Sequence, residues 1–278
     1  MGDVVVGASI LGGLGLFFGT VLAVSYRYLR VPEDPRLGDV EGMLPGNNCG
    51  ACGEPGCAAF AVSLLAGKTT PGKCTVSSPE NVDELATFLG VDAGRGEKLV
   101  ARLHCAGGRA QAKQIAAYEG FESCRAAALV GGGGKGCSWG CLGLADCERA
   151  CTFGAITMNS NGLPVVDVNK CTACNDCVVV CPRDLFELLP LRKPLLVQCR
   201  VPLEGAAARA LCTAACDACG RCAQDAPTGV VQMDGGLPRV DYDRDSGPEA
   251  TWRCPTRAIR WVPANQFLED REVSRELS

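Results

Sequence analysis

Residues 171–182 read CTACNDCVVVCP, a C-x2-C-x2-C-x3-C-P run. Upstream, Cys137, Cys141, Cys147 and Cys151 follow a C-x3-C-x5-C-x3-C spacing. Cys49, Cys52, Cys57 and Cys74 form a further group, and Cys216, Cys219 and Cys222 open another. Altogether 20 of 278 residues are cysteine, which leaves three classes: a secreted disulfide scaffold, a zinc protein or an iron–sulfur protein. A single histidine, His104, argues against His-rich zinc chemistry. Aromatics at 5% and 35 glycines argue against one large core, and favour small modules in which metal–thiolate bonds replace part of the apolar burial. A net charge of −4 argues against nucleic acid as a main partner.

The compartment decides between thiol and disulfide. Residues 4–26, VVVGASILGGLGLFFGTVLAVSY, carry no charge. As a helix they span roughly 35 Å, enough to cross a bilayer. A cleaved signal peptide fits poorly, because Asp3 and no Lys or Arg precedes the run. Arg27 and Arg30 follow it, so the positive-inside tendency puts the rest of the chain in the cytoplasm. In that reducing compartment the thiols read as metal ligands.

The run at 171–182 is a bacterial ferredoxin motif, whose fourth Cys serves the other cluster of a two-cluster fold. Crosswise pairing with the upstream group gives one site from Cys137, Cys141, Cys147 and Cys181, and another from Cys171, Cys174, Cys177 and Cys151. Between them, ITMNSNGLPVVDV reads as two short strands joined at an Asn-Gly turn. Zinc has no reason to adopt this double, Pro-terminated pattern.

An internal repeat follows. Residues 154–168, GAITMNSNGLPVVDV, match 229–242, GVVQMDGGLPRVDY, with one gap. The second copy has Ala226 before Pro227 where Cys-Pro is expected, and no cysteine in RDSGPEA at 244–250. Crosswise pairing turns these losses into the deletion of one whole cluster. The survivors Cys216, Cys219, Cys222 and Cys254 make one complete site, with Cys212 as a rival to Cys254. Cys212-x3-Cys216 matches Cys137-x3-Cys141, yet Cys219 stands where the first copy has Leu144. Cys105, Cys124, Cys199 and Cys212 are left over and read as small buried thiols, and nothing in their spacing supports a fifth site.

Other signals come to little. VGGGGKG at 130–136 lacks the GK[ST] of a phosphate loop and reads as a flexible linker. His104 reads as a polar loop residue, and SPENVDELATFLGVD as a capped polar helix starting near Ser78 or Pro79. The tail, QFLEDREVSRELS, reads as solvated, and no flavin or nicotinamide site is visible.

GNNCGACGEPGC with Cys74, GCSWGCLGLADCERACTFGAI and CTACNDCVVVCP together carry a resemblance over essentially the whole chain. The chain resembles the B subunit of the Rnf complex, a membrane-bound ferredoxin:NAD+ oxidoreductase that couples electron flow to Na+ or H+ transport. The resemblance implies a small four-iron domain at Cys49, Cys52, Cys57 and Cys74. It also implies electron transfer between soluble ferredoxin and other subunits, with flavin and NAD chemistry elsewhere. A variant of the complex reduces a redox-sensing regulator instead, and a zinc-binding membrane adaptor is the rival of another class. The expected fold is α+β. Its parts are a transmembrane anchor (1–30), an α-helical four-iron domain (31–92) and a connecting region (93–135). A two-cluster ferredoxin-like βαβ unit (136–190) and a degenerate one-cluster unit with the charged tail (191–278) complete it. The expected cofactors are four [4Fe–4S] clusters. The expected location is the cytoplasmic membrane, single-pass, with the bulk of the chain on the cytoplasmic side.

Overall fold

The computed structural model describes residues 2–29, 34–94 and 96–267; Arg30 and most of the expected charged tail lie outside them. Helix α1 (Gly2–Leu29) is long and apolar enough over Val5–Leu29 to cross a membrane. Its apolar side chains are largely exposed: Leu11, Leu16 and Leu22 are each at least 70% exposed. A soluble core helix would bury such a surface.

Four short helical segments follow: α2 (Leu37–Met43), α3 (Cys57–Leu65), a 3-10 turn (Pro71–Lys73) and α4 (Pro79–Leu89). Val40, Leu44, Phe60, Ala61, Leu64 and Leu85 form their core. Ser78 Oγ accepts from Asn81 N, Pro79 occupies the first turn and Gly90 is left-handed at the exit, so α4 is capped at both ends as its sequence requires.

The remainder is two similar units. The first contains β1 (Leu99–Leu103), α5 (Cys124–Leu129), α6 (Asp146–Ala150), β2 (Ile156–Met158), β3 (Pro164–Val166), α7 (Asp176–Val180) and β4 (Phe186–Pro190). The second contains β5 (Leu195–Val197), α8 (Gly205–Leu211), α9 (Arg221–Asp225), β6 (Val231–Asp234), β7 (Leu237–Val240), α10 (Glu249–Trp252) and β8 (Ile259–Trp261). Each has an inner hairpin, β2–β3 or β6–β7, and an outer antiparallel pair, β1–β4 or β5–β8. The repeat survives in register: Met158 pairs with Pro164, and Met233 with Pro238. The described strands pair only antiparallel, so the expected βαβ crossover gives way to an outer pair whose strands flank the hairpin and helices.

The segment 93–135 is more than a connector, because β1 is the outer strand of the first unit. Arg102, 2% exposed, donates to the carbonyls of Ala264 and Val262, and Gln266 exchanges hydrogen bonds with the Leu103 backbone. The end of the second unit is thereby laid across the first. His104, in the bend after β1, is a loop residue as read but a buried one, with Nδ1 at 2.7 Å from Val197 O and Nε2 at 2.9 Å from Glu187 Oε2.

The glycine run is not a slack linker. Gly131, Gly132, Gly133 and Gly134 all have left-handed φ, and a Cβ on Gly134 would overlap Ala116 O. The Ile115 and Ala116 N–H groups donate to Gly134 O. The turn delivers Lys135 to the interior, where Nζ donates at 2.5 Å to both Gly107 O and Cys141 O.

Candidate metal centres

All 20 cysteines carry free thiols. Sixteen of them line four small cavities, four thiols to each.

Cys49, Cys52, Cys57 and Cys74 line the first, backed by buried Phe60. Cys57 opens α3, and the 3-10 turn brings Cys74 back to it. Asn48 Oδ1 accepts from Cys57 N at 2.8 Å, which closes the loop on the helix end. Gly50 and Gly53, both left-handed, let the chain wind around the space.

Cys151, Cys171, Cys174 and Cys177 line the second cavity, with Ala101, Ile156 and Leu188. This is the crosswise set read from the sequence. Cys216, Cys219, Cys222 and Cys254 line another, with Met233 and Ile259. Cys254 therefore closes the CDACGRC loop, and Cys212 does not line that cavity. In the vacated half of this unit Ala226 and Ala250 pack with Leu195, Val230 and Trp261. Apolar side chains fill the space that four more thiols would have framed.

The remaining cavity departs from expectation. Cys141, Cys147 and Cys181 line it as read, but the fourth thiol is Cys124, and Cys137 lies elsewhere. The reason is in the repeat. Position 144 holds Leu where the second copy has Cys219, so this loop is one thiol short. Helix α5 supplies it: Asp146 Oδ2 accepts from Ser123 Oγ and from Arg125 N, both at 3.0 Å, pinning the Cys124 end of α5 beside Cys147. Cys137 is drawn off by the pairing of Gln114 with Lys135 and by Gly136 N donating to Lys113 O. Sequence reasoning missed Cys124, although the Leu144 gap was the signal for it.

The three cysteine loops share one backbone path. Left-handed residues flank the middle position in each: Gly143 and Ala145, Ala173 and Asn175, Ala218 and Gly220. For alanine that conformation costs about 1–2 kcal/mol, so a loop kept only for packing would relax. The CDACGRC loop retains it.

The donor sets suit a cluster better than one ion. Zn–S bonds of about 2.3 Å would pull four sulfurs onto a point. Among the described residues no three His, Cys, Asp or Glu side chains close in that way; the thiols instead ring apolar hollows. Burial pushes the thiols of Cys147, Cys177 and Cys216 up to about 12, so near neutral pH they hold their protons until a metal displaces them.

Residues 44–76 match the family described as a putative Fe–S cluster. The B subunit of the Na+-translocating ferredoxin:NAD+ oxidoreductase complex of Acetobacterium woodii is 38% identical over 92% of this chain and 77% of its own length. The chain belongs to the B subunits of ion-translocating oxidoreductase complexes. Two further B subunits match at similar depth. That of Methanosarcina acetivorans is 31% identical over 90% of this chain and 96% of its own. That of the proton-translocating complex of Clostridium ljungdahlii is 34% identical over 93% and 92%. The likeness to these proteins thus covers at least nine-tenths of this chain, well beyond the 44–76 segment.

Proposed function

We propose that this protein is the electron-relay component of an ion-translocating ferredoxin:NAD+ oxidoreductase, anchored by α1 and holding [4Fe–4S] clusters. The observation that carries the reading is the set of four small cavities, each lined by four thiols, in a chain of this family. Their ligands are Cys49, Cys52, Cys57 and Cys74; Cys151, Cys171, Cys174 and Cys177; Cys124, Cys141, Cys147 and Cys181; and Cys216, Cys219, Cys222 and Cys254. The clusters, when bound, each take up and release a single electron. The chain's own contribution is to hold the thiolates, exclude water with Phe60, Leu103, Ile156 and Ile259, and space the sites.

Contacts between neighbouring sites support a relay. Thr75, next to Cys74, donates its hydroxyl to the carbonyl of Thr172, next to Cys171. After burial and the neighbouring Cys124, charge on Cys177 also raises the Cys147 thiol, so these two sites are electrostatic neighbours. The first repeat unit is a two-cluster ferredoxin-like domain and the second its one-cluster derivative. Soluble ferredoxin is the electron partner at one end and other subunits of the complex at the other. The bulk of the chain faces the cytoplasm, so a reporter active only in the periplasm, fused at residue 278, stays silent.

The deciding experiment mixes the anaerobically purified full chain with reduced ferredoxin in a stopped-flow cell. Broad visible absorption that bleaches on mixing is expected; a colourless protein, or one that ferredoxin cannot bleach, sinks the reading.

A further inference from the structure

The four cysteines outside the expected site sets, less Cys124 and with Cys137 in its place, converge. Cys105, Cys137, Cys199 and Cys212 are each less than 10% exposed. Cys137, Cys199 and Cys212 share one cluster of buried side chains. A Cβ on Gly107 would lie 2.9 Å from Cys212 Sγ and 3.7 Å from Cys105 Sγ, so both sulfurs border the same point. After burial, charge on Cys105 and Cys137 is what raises the thiols of Cys199 and Cys212. All four sulfurs are thus neighbours, although as much as 107 residues separate them in sequence.

The repeat explains the set. Leu103 pairs with Phe186 in the first unit and Val197 with Ile259 in the second, so Cys105 and Cys199 occupy equivalent positions two residues beyond equivalent strands. Cys137 and Cys212 are equivalent as well, each four residues before the first thiol of its loop, Cys141 or Cys216. Each unit contributes the same pair, and the two copies face each other across the site.

Backbone amides point at these sulfurs. Cys141 N donates to Cys105 Sγ at 3.3 Å, and Val201 N to Cys199 Sγ at 3.5 Å. The backbone amide of Cys216 also lies near the Cys199 thiol, those of Trp139 and Gly140 near Cys137, and that of Ala214 near Cys212. A neutral thiol is a weak acceptor, whereas cluster thiolates take such donors. A second observation concerns charge. Lys135, 8% exposed, donates among the described residues to two carbonyls, Gly107 O and Cys141 O. A Cβ on Gly140 would sit 3.3 Å from Cys137 Sγ and 3.4 Å from Lys135 Nζ. A buried ammonium needs a compensating anion, and four thiolates around an iron–sulfur core provide it.

We infer that Cys105, Cys137, Cys199 and Cys212 hold a fifth [4Fe–4S] cluster, built between the two repeat units and charge-balanced by Lys135. This rests on the relay reading and completes it. With the fifth site all 20 cysteines are ligands, in five sets of four. The position also joins the two units. The fifth site touches the Cys124 site through Cys141 N and Cys105 Sγ, and the Cys254 site through Cys199 and Cys216. It would thereby give electrons a path from one unit to the other.

Iron and acid-labile sulfide are counted on the anaerobically reconstituted full chain and on the Cys199→Ala/Cys212→Ala variant. Five clusters in the parent, falling by about a fifth in the variant, are expected. Four in both, or four plus one zinc per chain, overturns the fifth site and leaves the relay reading intact; no iron at all sinks both. Should the double variant fail to fold, a redox titration of Lys135→Met followed by EPR decides. Removing the positive charge shifts one of five midpoints to lower potential and leaves the others in place, whereas buried free thiols offer no midpoint to move.

Discussion

Asp146 Oδ2 accepts a hydrogen bond from Ser123 Oγ at 3.0 Å and so joins the helix that starts at Cys124 to the helix that carries Cys147. The link holds together two cysteines of one cavity that the sequence separates by a glycine-rich turn. Asp146→Ala removes the acceptor for both Ser123 Oγ and Arg125 N. The expected result is loss of up to one cluster's iron, or a three-iron form of that site, with the other sites unaltered by EPR. Full iron retention would show that α5 docks without the link.

Crosswise ligation makes a separate prediction. Cys181→Ser should perturb the cluster ringed by Cys124, Cys141 and Cys147, and Cys151→Ser the one ringed by Cys171, Cys174 and Cys177. EPR of the reduced variants distinguishes the two. Damage by each substitution to its own motif's cluster would contradict the pairing.

For the second unit, Cys254→Ala should cost up to one cluster or convert that site to three-iron, because three thiolates leave one iron without a protein ligand. Ala226→Cys should not rescue it, since Ala226 packs with Val230 and Trp261 in the vacated half. Cys212→Ala should leave the three-iron signal absent at this site. Iron analysis and low-temperature EPR of the three variants check this.

Gly134→Ala tests whether the glycine run is a folded turn. The new Cβ meets Ala116 O, and the left-handed φ of 75° adds strain. Destabilisation of more than about 2 kcal/mol is expected by chemical denaturation. Gly131→Ala, which meets no atom within 4 Å, should cost only about 1 kcal/mol. Equal effects would mean that the run is slack after all.

Much of this protein was decided within short stretches of its sequence. The spacing in CTACNDCVVVCP or GNNCGACGEPGC governs a loop of a few residues, and the local backbone then has few ways to present the thiols. The apolar length of α1, the capped helix after Ser78 and the Met–Pro register of both hairpins are local in the same sense. Even the loss of one cluster near Ala226 could be read there, because the repeat supplied its own comparison. Tertiary structure decided what depends on distant strands meeting. Leu144 leaves its loop one thiol short, but only the docking of α5 on Asp146 places Cys124, and not Cys137, at that cavity. Cys105 and Cys199 have no sequence motif; they face each other because β1 and β5 end at equivalent places in two packed units. His104 reads as a polar loop residue and Lys135 as part of a flexible linker, and no local pattern reports that both are buried. Spacing encodes the ligands a loop can offer, and the packing of the repeat units determines which ligands meet.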